Sequence, residues 1–331
     1  MLGEGIHLRK GFSPLISHNL WKVYAVPKIM YGLEVMPIKK KEMEQMEIMQ
    51  RKLLRQLQCL SNQVANTAVY VLIGAVPIYM MIERNMLLMN IIRNNTTVEY
   101  KILMRQLAMR NEKDHTFINR IQEVIQKYKL EPVEKLMEQP KSKEEWKRIV
   151  KSHQNIYWHE RCKADQLEKK SLQYLQIQDR PISKPHNIWQ STGNDPISIK
   201  SGEIKSKLVT QSYMLQNIKS RYNKNISSIC TLCETGDENI YHFLLVCSSL
   251  KSTRERHLQK IQEYLDSLRN GLYQDIQDAD MLVQLLMDCT SQEINYGIRI
   301  KQKQYMEMES LSRIFCYDMH VSRLRQMAGK E

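Results

Sequence analysis

Residues 38–60, IKKKEMEQMEIMQRKLLRQLQCL, set how the rest of the chain is read. Apolar side chains recur three or four apart at Met43, Met46, Met49 or Gln50, Leu53, Leu57 and Leu60, which places one stripe on a 3.6-residue helix. Lys39, Lys40, Lys41, Arg51, Lys52 and Arg55 fall mostly on the other faces. Such a helix can lie along a phosphate backbone, and a simply solvated charged face gives the same pattern. The composition extends this reading outward. In 331 residues there are only 11 glycines and 9 prolines but 20 methionines, and Leu, Gln, Glu, Lys and Arg supply much of the remainder, so helix formers dominate. The chain is therefore expected to be mainly α, with its 42% hydrophobic residues enough for a substantial core.

On either side of this stretch the punctuation divides the chain. Residues 1–37, with Trp21, Tyr24, Pro27, Tyr31, Gly32 and Pro37, read as short helices with a turn. The β-branched run from Val69 to Ile73 reads as a short strand closed by Gly74 and Pro77, with a helix over 78–93 behind it. Amphipathic helices separated by Pro132 and Pro140 fill residues 96–180, and the polar stretches 181–185 and 191–196 look like a linker. The division expected is residues 1–95, a helical connector over 96–195, and residues 196–331 as a unit with a helical tail.

Two features carry chemistry. The formal charge of +13 favours a polyanionic partner, because each Lys or Arg placed on a phosphate releases condensed counterions. Over 199–225, Lys200, Lys205, Lys207, Lys219, Arg221 and Lys224 alternate with Tyr213 and Tyr222, the pairing of cations and ring faces that single-stranded nucleic acid uses. An ordinary amphipathic helix with two core tyrosines gives the same pattern. Lys205, Lys207, Lys219, Arg221, Lys224 and Arg254 are the expected phosphate contacts, with Lys251 also near.

The second feature is Cys230-Thr-Leu-Cys233, followed by Gly236 and then His242-Phe-Leu-Leu-Val-Cys247. A CxxC turn presents two thiolates to one cation, and a His and a Cys on the next short helix complete a tetrahedral set. Cys230, Cys233, His242 and Cys247 are thus expected to bind one structural Zn²⁺, since four protein ligands leave no open catalytic position. A redox CxxC is the weaker reading, because no βαβ context precedes it. His153, His159 and Cys162 form a poorer second ligand set, and Cys59, Cys289 and Cys316 read as buried thiols. Up to residue 160 the only aspartate is Asp114, so the clustered carboxylates of two-metal phosphoryl transfer cannot be assembled there. GxxxxGK[ST], HExxH and GxSxG motifs do not occur.

These stretches together resemble the C-terminal part of non-LTR (LINE-type) retrotransposon reverse transcriptases. The likeness rests on Gly11-Phe-Ser-Pro14, on Val26-Pro-Lys-Ile-Met-Tyr-Gly-Leu-Glu34, on Leu72-Ile-Gly-Ala-Val-Pro-Ile78, and on Tyr213-Met-Leu-Gln216 through Arg221 leading into the cysteines. It covers most of residues 1–255, and the zinc motif is its most specific part. The resemblance implies a thumb-like helical unit at 1–95, a connector, and a zinc-knuckle domain that holds RNA or target DNA. In that family the catalytic aspartates lie upstream of the thumb and have no counterpart here. An endonuclease that some relatives carry, built on a Pro-Asp and a later Asp-x-Lys, is not implied either, because no proline occurs from Ser248 to Glu331 and Asp275, Asp278 and Asp280 do not reproduce the pattern.

The expectation is therefore a non-catalytic, zinc-stabilised binder of RNA or DNA. A rival is a helical protein-interaction module stapled by zinc, its Met-rich faces docking a partner. Another is one piece of a polymerase whose palm is supplied by a separate polypeptide. No membrane span or export signal is legible, and an intracellular compartment, nuclear or cytoplasmic, is expected.

Overall fold

The computed structural model describes residues 12–33, 36, 38–88, 98–109, 116–139, 141–177, 182–276, 278–291 and 293–329. Gly11, Glu34, Pro37, Asp114, Pro140, Pro181 and the end of the helix expected to reach residue 93 lie outside them. The first half comprises α1 (Pro14–Leu20), α2 (Val26–Met30), α3 (Lys40–Leu57), α4 (Asn66–Ile73), α5 (Ile78–Leu88), α6 (Val98–Ala108), α7 (Phe117–Lys127), α8 (Val133–Glu138) and α9 (Lys143–Glu168). The second comprises α10 (Asn187–Gln190), α11 (Pro196–Val209), α12 (Gln216–Tyr222), α13 (Lys251–Leu268), α14 (Leu272–Asp275), α15 (Ala279–Met287) and α16 (Gln302–Ala328). Among the described residues there is no strand; one isolated antiparallel bridge joins Ile229 and Asp237. The mainly α expectation holds.

The stripe of residues 38–60 becomes α3. Its first turn is closed by the Glu42 carboxylate, which accepts from Lys39 N at 3.0 Å, and its buried face is Gln50, Leu54 and Leu57. At the ambiguous position it is Gln50 that turns inward, while Met49 is exposed. The amide is fully used: Nε2 donates to Val76 O at 2.9 Å, and Oε1 accepts from Ile78 N at 2.8 Å. A buried amide satisfied on both sides costs little and fixes the turn between α4 and α5.

The run expected to be a strand is instead α4, in which every residue from Thr67 to Ile73 is buried. β-branching disfavours a helix by only a few tenths of a kcal/mol per residue. Packing on all sides outweighs that, and a continuous apolar run carries no period to separate the two structures. Gly74 ends the helix in a left-handed conformation at φ 68°, and a Cβ there would stand 2.5 Å from Pro185 N.

That contact explains a second departure. Between the two stretches read as a polar linker the chain enters the core: His186, Asn187, Ile188 and Trp189 are buried. His186 N donates to Leu72 O at 2.9 Å, and Trp189 Nε1 donates to Gln58 Oε1 at 3.1 Å. Helix α10 thus seats the second half on α4, and the hydrophobic core runs without a break across residue 195.

In the second half α16 is central, packed on α10, α11, α13 and α15. Three buried polar contacts hold it. Lys205 Nζ donates to Ser312 Oγ at 2.7 Å and lies 3.2 Å from Glu309 Oε1. Arg313 donates to Ser191 O at 3.0 Å and also to Ser201 Oγ. Arg323 forms a two-pronged pair with Glu238 at 2.6 and 2.8 Å.

No single described helix is long and apolar enough to cross a membrane; α4 and α5 together reach the length but are bent by 67°.

His18 on α1 is buried and stacked on Trp21. Burial, with the charge of Lys22 adding to it, drives its pKa from 6.5 down to about 4. The unfolded chain therefore binds the proton more readily, so this contribution is fully present above pH 6.5 and is lost as pH falls toward 4. Against a His18→Phe variant, the wild type should lose an additional 1–3 kcal/mol, roughly, across that window in urea titrations. Parallel pH profiles of the two proteins would remove His18 as the cause.

Candidate metal centre

Between α12 and α13 the chain makes a short, nearly helix-free loop whose geometry is set by backbone hydrogen bonds around the cysteines. Cys230 N donates to Gly236 O at 2.8 Å and Glu234 N to Cys230 O at 2.9 Å, so the CxxC segment closes as a tight turn with Glu234 at φ 60°. The Asn239 side chain accepts from His242 N at 2.8 Å and starts a single π-helical turn, His242–Val246. The wider π turn is itself closed by Cys247 N donating to His242 O at 2.8 Å, which brings the His and Cys side chains to one side.

The result is a cluster in which one donor atom each from Cys230, Cys233, His242 and Cys247 lies within 4.8 Å of the others. Cys230 Sγ and Cys247 Sγ are 3.9 Å apart, and Cys233 Sγ is 3.2 Å from His242 Nε2. Zinc–sulfur bonds of about 2.3 Å at tetrahedral angles separate two sulfurs by about 3.8 Å, so the donor set fits a divalent ion of that kind. The charge balance points the same way. Burial, reinforced by the neighbouring Cys230 sulfur, pushes the Cys247 thiol up to about 12. Burial also opposes ionisation of Cys233, but hydrogen bonds from Thr235 outweigh it and bring that thiol down to about 6. Three thiolates can coexist here only beside a cation.

The loop is braced from outside. Glu238 is buried, accepts from Gln216 N at 2.7 Å, and takes both prongs of Arg323 from α16. Arg254 Nη1 donates to Cys247 O at 2.9 Å from the first turn of α13. Both are supports for a ligand loop, and of the two only Arg254 had been singled out, for a different role.

That role needs correcting. Arg254 is buried and spent on a ligand carbonyl, so it does not face a phosphate. Lys205 is completely buried against Ser312 and Glu309, because α16 covers the α11 face on which it lies. Lys207 is half-buried and pairs with Glu203 at 2.6 Å, as does Lys200 at 2.9 Å. Lys219 is half-buried, while Arg221 and Lys224 are exposed; among the described residues none of the three has a carboxylate within ion-pair distance. Tyr213 is a core residue whose Oη lies 2.6 Å from His320 Nδ1, whereas the ring of Tyr222 is exposed.

Among the described residues no second cluster of metal-type donors occurs. Cys162 is buried, and His153 Nδ1 lies 2.8 Å from Tyr128 O. Cys289 and Cys316 are buried as expected, and Cys59 is half-buried. No protein-family model, curated protein or solved structure matches this chain.

Proposed function

We propose that the chain is a zinc-stabilised nucleic-acid-binding protein corresponding to the thumb, connector and zinc-knuckle part of a LINE-type reverse transcriptase, without a polymerase site of its own. The observation that supports it most is the four-donor cluster with tetrahedral spacings, set after a helix carrying Lys219 and Arg221 and a turn carrying Lys224, three cations with no carboxylate within ion-pair reach among the described residues. Zinc is structural in this reading, since all four coordination positions are filled by the chain.

One histidine–aspartate pair is closed to any substrate. His186 Nε2 lies 2.8 Å from Asp288 Oδ2 with both side chains fully buried. The same carboxylate accepts from Gln176 N at 2.8 Å and Thr290 N at 3.0 Å. A substrate cannot reach it.

The test is a salt-titrated mobility shift with the zinc-loaded chain. Three phosphate contacts give a slope of log K against log salt of about −2 to −3. The triple variant Lys219→Glu, Arg221→Glu, Lys224→Glu should flatten that slope and weaken RNA and DNA binding at least tenfold, while circular dichroism and zinc content stay unchanged. Retention of full affinity by the triple variant would defeat the assignment.

A second reading, a protein-interaction module, has one observation in its favour: Val23 and Tyr24, between α1 and α2, are 62% and 65% exposed, and Tyr31, just after α2, is 90% exposed. It predicts no binding of nucleic acid in the same assay.

A further inference from the structure

Between the 59–64 turn after α3 and the corner joining α11 to α12 lies a groove of about 600 Å³. Its walls come from segments more than a hundred residues apart in sequence, so no local motif announces it. Four cations line it, Lys170, Lys200, Lys207 and Arg221, and no carboxylate is among its lining residues. Glu203, just behind, holds Lys200 and Lys207 together at 2.9 and 2.6 Å. One carboxylate against two ammonium groups leaves a net positive charge there and fixes both cations in place. Lys170 is exposed at one side. Tyr222, 63% exposed, stands at the rim beside Met214. Gln63 and Ser61 are exposed polar groups on the opposite lip.

We propose that this groove seats one unpaired strand of nucleic acid, with its backbone along Lys170, Lys207 and Arg221 and a base stacked on Tyr222. The proposal rests on the nucleic-acid-binding reading above and adds which form of nucleic acid is taken, and where. A concavity of this volume is the size that encloses a small organic ligand, here one or two nucleotides. A duplex keeps its bases stacked within a wide rod, so it presents no ring face to Tyr222 and no segment narrow enough to enter. Cations that converge into a concavity beside an exposed aromatic ring suit a chain whose phosphates and bases can point in different directions. His320 also lines the groove, its Nδ1 2.6 Å from Tyr213 Oη.

The experiment is fluorescence anisotropy on the zinc-loaded full chain, using 5′-labelled twelve-nucleotide oligo(U), twelve-nucleotide oligo(dT), and a blunt twelve-base-pair DNA duplex. Tyr222→Ala and Lys170→Glu probe the groove through two exposed side chains, and Lys224→Glu probes a cation outside it. Loss of one stacked base costs ~1–3 kcal/mol, so Tyr222→Ala should weaken single-strand binding by about five- to a hundredfold. Duplex binding should change by less than about twofold on the same scale. Oligomers carrying 4-thiouridine should cross-link at Tyr222 and Met214.

If single strand and duplex bind alike, and both respond to Lys224→Glu but to neither groove variant, the groove is overturned while the nucleic-acid reading survives. If no oligomer binds the wild-type chain, both fall. Cross-links that map away from the groove also overturn it. A preference between oligo(U) and oligo(dT), in either direction, reports the sugar or the thymine methyl and leaves the strand form supported.

Discussion

Withdrawing zinc from the loaded chain should abolish the cooperative melting of its C-terminal half, and Cys230→Ser should do the same without a chelator. The loop from Ile226 to Cys247 has no regular element beyond one isolated bridge and one π turn, so its few hydrogen bonds and braces depend on a bound ion to keep the four ligand side chains together. Structural zinc contributes on the order of 10 kcal/mol or more of apparent binding free energy at neutral pH, comparable with the entire stability of a domain at about 5–15 kcal/mol. The loss should spread, because the loop delivers Glu238 to Arg323 and the Cys247 carbonyl to Arg254. Both arginines lie on helices of the surrounding core, and their partners would move away. Metal analysis should return one zinc per chain. A chelated or Cys230→Ser protein that melts as a single transition at the wild-type temperature would mean that the cluster is not a metal site.

Replacing Lys205 by Met should destabilise the protein by about 3–5 kcal/mol and leave nucleic-acid affinity per folded molecule unaltered. Removing one partner of a buried ion pair leaves the other charge uncompensated in a poorly polar interior, which costs about that much. The expected signature is in the pH dependence. Burial raises the Glu309 carboxyl to about 7 even with Lys205 opposing, and loss of the ammonium raises it further. A carboxyl whose folded pKa stands above its unfolded value supports folding below the unfolded value and ceases to do so as pH climbs through the folded one. The Lys205→Met penalty should therefore be larger at pH 8 than at pH 5. Substituting both partners, Lys205→Met with Glu309→Leu, should recover most of the loss, since apolar replacements of similar size remove the desolvation cost of both ions. Chemical denaturation of the two variants and the wild type at both pH values decides it. A stable Lys205→Met protein with weakened nucleic-acid binding would return Lys205 to the surface role that its sequence context implies.

Lys205 marks where a linear reading stops being sufficient. The metal cluster is legible because its information is local: four ligands within eighteen residues, with spacings that metal chemistry dictates. Helix α3 is legible because periodicity is a property of a single segment. Whether a cation on α11 faces water or Glu309 depends on α16, more than a hundred residues later, and α11 is buried on nearly all sides rather than along one stripe. The same limit applies to Val69 and Val71 in α4, which carry no alternation that could separate a short buried helix from a strand. Prolines and polar residues around His186 look like a linker because the groups satisfying them, Leu72 O and Asp288, are distant in sequence. The groove beside Tyr222 was half visible, in Lys207 and Arg221, but Lys170 and Gln63 gave no sign of belonging with them.

The central position of α16 also bears on how the protein is made. Arg323 leaves the ribosome 85 residues after Glu238, and Glu309, the ionic partner of Lys205, also follows it on α16. Throughout that interval both charges must stay hydrated, because a collapse that enclosed them early would strand each without its counterpart. The two ionic groups therefore gain their buried partners only once the helix that completes the second half has been synthesised.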